Sequence, residues 1–78
     1  MTEKQLEKFK KIIYEPYLEA WNIMKELRQA DLTKQETWDS YMNKCEAYRS
    51  KYTNEMSRSL YRVMLDCGDE AKRITNGL

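Results

Sequence analysis

Seventy-eight residues with 14 basic and 13 acidic side chains, two glycines, one proline and no histidine exclude a good deal. The length allows one domain near the lower limit for a self-sufficient core, worth roughly 3–5 kcal/mol unless it is stapled or oligomeric. The near-neutral charge excludes the strongly basic composition of domains held mainly on nucleic-acid phosphates: residues 1–39 carry seven bases against eight acids, and residues 40–78 seven against five.

The first predicted element begins at once. Thr2 with Gln5 fits a capping box, and Leu6, Phe9, Ile13, Tyr17, Ala20, Met24 and Leu27 recur at steps of three and four, the spacing of one helical face. Pro16 interrupts this run, since it has no N–H to give the Ile12 carbonyl and disfavours helix at Glu15. The apolar register nevertheless continues across it. One helix over about residues 3–30, kinked at Pro16, is favoured over two helices meeting at a corner. The charged opening reads as the start of this helix rather than a signal peptide, and no stretch is apolar and long enough to span a bilayer, so the expected location is cytoplasmic.

A second helix, about residues 34–52, follows a Thr33-x-x-Glu36 capping box, with Trp38, Tyr41, Met42, Cys45, Tyr48 and Tyr52 on its apolar face. Thr53 and Asn54, both good N-cap types, open a third over about residues 55–75, with Met56, Leu60, Val63, Met64, Cys67, Ala71, Ile74 and Leu78 on its stripe. Gly68 reads as interior because the stripe passes through it; Asn76-Gly77 is the expected stop. Short links force neighbours to pack antiparallel. The expected fold is all-α, a three-helix bundle in a single domain, or a helical hairpin with an arm if the first helix projects.

Chemistry is conspicuous by its absence. Without histidine there is no Ser-His-Asp or Cys-His arrangement and no Glu-x-x-His di-iron set. Cys45 and Cys67 are too few for a structural zinc site and read as small buried hydrophobes. No phosphate-binding glycine loop is present. Asp66, Asp69 and Glu70 lack calcium-loop spacing and read as a solvated turn of helix. The expectation is a non-enzymatic protein with no cofactor and no metal.

Two faces could carry function. At 100° per residue, Lys10, Tyr14, Leu18, Trp21, Lys25 and Arg28 form a row beside the core stripe of the first helix, and Glu15, Glu19 and Glu26 lie on the other flank. Tyr, Trp and Arg dominate interface hot spots, so this row is a candidate partner-binding face; its alternative is packing of Tyr14 and Trp21 on the neighbouring helices. Arg58, Tyr61, Leu65 and Lys72 lie together on the third helix, away from its main stripe, as a second candidate patch. The partner class that fits best is another protein. A homodimer, which would add core, and nucleic acid are the alternatives; neither a membrane nor a small-molecule substrate is implied.

Ser57-Arg58-Ser59-Leu60-Tyr61-Arg62 resembles the start of a resolvase-type helix-turn-helix recognition helix, though one residue of the usual run is missing and the preceding turn lacks glycine. That resemblance implies DNA contact through Arg58 and Arg62, assisted by Lys44, Arg49 and Lys51. In whole-chain character the sequence, with nine lysines and six tyrosines, resembles the small all-helical proteins of Gram-positive phages and mobile elements, anti-CRISPR proteins among them. This implies a binder without chemistry of its own, an inhibitor that occupies a surface of a host defence nuclease.

Overall fold

The computed structural model describes residues 1–77, which form three helices and no strand; Leu78, expected on the third apolar stripe, lies outside the described residues. The first helix, α1, runs over residues 3–28 in four stretches: α-helical Glu3–Phe9, a π turn at Lys10–Tyr14, α-helical Glu15–Lys25 and a 3-10 turn at Glu26–Arg28. Its start is the expected capping box: the Thr2 hydroxyl oxygen accepts the Gln5 N–H at 3.2 Å, and the Gln5 amide oxygen accepts the Thr2 N–H at 2.8 Å.

Pro16 is accommodated differently from the kink that the sequence suggested. The helix runs through it without a break, and the turn before it is widened so that the Glu15 N–H bonds the Lys10 carbonyl. Such a turn relaxes the crowding that a pyrrolidine ring creates in a helix interior. The Ile12 carbonyl, which Pro16 cannot serve, accepts the Asn54 side-chain amide at 2.9 Å. Pro16 itself is buried, and its own carbonyl accepts the Tyr48 hydroxyl at 2.8 Å.

The second and third helices, α2 (Gln35–Lys51) and α3 (Glu55–Thr75), lie within a residue of their expected bounds. The start of α2 departs from expectation, because no Thr33–Glu36 capping box forms. The Asp31 carboxylate instead accepts both the N–H (3.0 Å) and the hydroxyl (2.5 Å) of Thr33, an Asx turn whose bonds hold the Asp31 carboxyl below its ordinary value. Lys34 then takes the N-cap position with no side-chain bond. At the start of α3, Asn54 Oδ1 accepts the Ser57 N–H at 2.8 Å, so a single asparagine caps α3 with its oxygen and α1's orphan carbonyl with its nitrogen.

The bundle runs up, down and up. Along α1 and α2 the cross-links step oppositely, with Glu26 on Lys44, Glu19 on Lys51 and Pro16 on Tyr48. Along α2 and α3 they do the same, with Glu46 on Tyr61, Tyr41 on Met64 and Trp38 on Lys72. Ala20, Leu27, Tyr41, Cys45, Tyr48 and Met64 form the buried core. Two of these are tyrosines whose hydroxyls donate to backbone carbonyls, Tyr41 to Met64 at 2.5 Å and Tyr48 to Pro16. Burial raises both phenols above their ordinary value and likewise raises the Cys45 thiol. Cys67 is half-buried, and neither cysteine is in a disulfide. Gly68 is interior to α3, as expected, for a steric reason: a Cβ there would stand 3.1 Å from Tyr41 Cε2. The helix stops at Asn76-Gly77, where Gly77 takes a positive φ of 91°.

The expected core needs correcting at its ends. Leu6, Phe9, Ile13 and Tyr17 of α1, Met42 of α2, and Val63 and Ile74 of α3 are exposed. The inward row of α1 is Pro16, Ala20, Ile23 and Leu27, so Pro16 takes the place assigned to Tyr17. On α3 the inward row includes Ser57, Tyr61, Met64, Gly68 and Ala71, which turns Val63 outward. Beyond Pro16 the reason is length. At 1.5 Å per residue α1 spans about 39 Å and the 17-residue α2 about 25 Å. The molecule is accordingly elongated, 49 × 22 × 19 Å, and the first three turns of α1 stand clear of the bundle as an arm.

Candidate functional site

The outward face of α1 holds the first candidate row intact. Tyr14, Leu18 and Trp21 are 56%, 40% and 53% exposed, and Lys10, Lys25 and Arg28 are exposed with them. Packing of Tyr14 and Trp21 on the neighbouring helices, the alternative reading, is not what the structure has. Tyr17, 58% exposed, joins the row, so aromatic or apolar side chains occur at positions 14, 17, 18 and 21. These are neighbours on one helical surface, and aromatics this exposed on a chain with so small a core are the unusual observation.

Electrostatics sharpen the face. Two of the three acids on the opposite flank are paired within the molecule: Glu19 with Lys51 at 3.2 Å and Glu26 with Lys44, both linking α1 to α2, while Glu15 is exposed. Among the described residues, Lys10, Lys25 and Arg28 are in no ion pair. The aromatic row is therefore edged by cations that the fold leaves to solvent.

No family model matches the chain, and no curated protein or solved structure is detectably similar to it. The functional reading rests on the site itself.

The second candidate patch is less free. Arg58, Tyr61 and Leu65 do come together, lining a groove with Arg49, Tyr52 and Arg62. Tyr61 and Leu65 are half-buried and pack on the core. The Tyr61 hydroxyl donates to Glu46 at 2.6 Å, which raises its pKa, and its ring lies 5.5 Å from the Arg49 guanidinium carbon. Lys72 is apart from this groove, over the Trp38 ring at 4.7 Å. Arg58 and Arg62 are exposed, but α2 and α3 pair along their length rather than crossing at the roughly 90–120° of a helix-turn-helix. The N-terminus of α3 is also docked on α1 through Asn54. A recognition helix needs that end free to enter a groove.

The arm adds Leu6, Phe9 and Ile13, expected in the core, and Ile12, which lies off that stripe. All four are exposed, and with Met1, Gln5 and Lys8 the residues Phe9, Ile12 and Ile13 line a shallow apolar concavity. The signal that could have found them was the mismatch of helix lengths, not the stripe. Among the described residues no cluster of three or more potential metal ligands occurs, and no helix is long and apolar enough to cross a membrane.

Proposed function

We propose that the protein is a binding module that grips another protein through the outward face of α1. The observation that carries this is the exposure of Tyr14, Tyr17, Leu18 and Trp21 on one face, edged by Lys10, Lys25 and Arg28. Trp21 and Tyr14 supply the anchors: large rigid side chains give much buried area for little lost rotamer freedom. Lys25 and Arg28 set register against carboxylates on the partner, and rim charges of this kind govern the association rate more than the affinity. Occluding a surface of a larger protein, as the whole-chain resemblance implies, is one way such a grip produces an effect.

Trp21→Ala separates this reading from its rivals. The variant is expected to keep the helical circular dichroism and melting midpoint of the parent. In affinity capture from extract of the source cell, read by quantitative mass spectrometry, it is expected to lose its specific partner at least tenfold. Unchanged capture removes Trp21 from the site. A steep loss of binding between 50 and 200 mM salt, carried by Arg58 and Arg62 instead, would move the function to nucleic acid.

A further inference from the structure

The arm of α1 has its own apolar seam, on a different side of the helix from the aromatic row. Leu6, Phe9 and Ile13 continue backwards, in steps of three and four, the inward row of Pro16, Ala20, Ile23 and Leu27 that the bundle buries. By spacing this is a heptad pattern, stepped in phase at the π turn of Lys10–Tyr14, with a partner over its second half and none over its first. From these positions we propose that the arm pairs, antiparallel, with the arm of a second copy of this chain.

Charge and register choose that occupant. In an antiparallel pair, seam layers match Leu6 with the partner copy's Phe9 and the reverse, while Thr2 meets Ile13. This register brings Glu3 of each copy beside Lys10 of the other, at the position flanking the seam where interhelical ion pairs form. Two symmetric ion pairs result, and among the described residues neither Glu3 nor Lys10 has an ion-pair partner within its own chain. Sliding one heptad further toward the bundles sets Lys10 against Lys10 and Leu6 against Pro16. That proline is already buried against α2, so the slide is blocked twice. A parallel pair leaves Glu3 and Lys10 a helical turn or more from any opposite charge across the seam. The antiparallel pair also directs the two bundles to opposite ends, so Tyr14, Leu18 and Trp21 of both copies stay accessible and only Lys10, at the edge of the row, is shared with the seam.

An interface of about three turns per chain belongs to the weak, transient class. Sedimentation velocity should therefore be run from about 10 µM to about 1 mM, the range in which such affinities are read. The intact chain is expected to pass from monomer to dimer across it. Leu6→Asp is expected to remain monomeric throughout, with helical content and melting midpoint of the bundle at low concentration unchanged. Glu3→Lys and Lys10→Glu should each weaken the dimer at least fivefold, because each variant places like charges opposite. An equimolar mixture of the two should recover it, since the mixed pair restores both opposite-charge contacts. A parent chain monomeric at 1 mM overturns the proposal and gives the arm to a partner of other composition. A dimer indifferent to the charge variants, or a mixture no tighter than its components, overturns the antiparallel register. Neither result bears on capture through Trp21, which is measured on the other face.

Discussion

The two halves of α1 carry the same apolar periodicity and meet opposite fates. From Pro16 to Leu27 the inward positions are buried or half-buried under α2 and α3; from Leu6 to Ile13 every position is exposed. Nothing in the local pattern separates them. What differs is reach: α2 ends at Lys51, level with Glu19, and the chain turns back through Asn54 at Ile12. Periodicity specifies which side of a helix would be buried, whereas the partner helices decide how much of it is.

The sharpest way to break this comparison is to remove matched bulk from each half of the contact. Met64, fully buried, faces the bundled part of the molecule. Met64→Ala deletes core volume and leaves a cavity, which costs about 2–5 kcal/mol. That is comparable with the whole stability of a domain of this size, so in urea titration the variant is expected to be largely unfolded at 25 °C. A loss below about 1 kcal/mol would mean that the bundle repacks freely, and the contrast between the halves would lose its energetic meaning.

A smaller effect sits at the boundary. Asn54 caps α3 and satisfies Ile12 at once. Asn54→Ala removes both bonds and is expected to cost about 1–3 kcal/mol, from a lost cap of about 1 kcal/mol and an orphaned carbonyl. Asn54→Ser keeps a capping oxygen but has no amide to reach Ile12, so its loss should fall between the parent and the alanine variant. Equal losses for Ser and Ala would assign the whole effect to Ile12; a neutral Ser variant would assign it to the cap.

Much of this architecture was legible in the sequence. Thr2-Gln5, the continuity of α1 through Pro16, the interior place of Gly68 and the stop at Asn76-Gly77 all follow from local chemistry, which depends on a few neighbouring residues. The departures have two physical origins. One is local: Thr33 has the right spacing to Glu36 for a cap, but Asp31, two residues earlier, takes its N–H and its hydroxyl in two bonds. The other is tertiary: Leu6, Phe9, Ile13, Tyr17 and Val63 sit on apolar stripes, yet burial depends on what the other helices can cover. The candidate row of Tyr14, Leu18 and Trp21 was legible as a face; that it is a solvent face became readable only with the bundle assembled. No sequence signal announced that Asn54 would reach a carbonyl 42 residues away.

The smallest effect is the most discriminating for the arm. Phe9 is large and apolar, and on its stripe it has the same standing as Leu27, which is buried. If the arm has no partner within its own chain, Phe9→Ala removes little that the fold uses, and at low micromolar concentration the unfolding free energy should change by less than about 0.5 kcal/mol, the range of ordinary surface substitutions. Alanine's better helix propensity offsets part of even that. The measurement is a urea melt followed by circular dichroism, with the slope compared as well as the midpoint. An unchanged slope means that the surface exposed on unfolding is the same, so the shift in midpoint reads the change in stability directly. A loss of 2 kcal/mol or more would place Phe9 against the bundle in solution and close the gap between the two halves of α1.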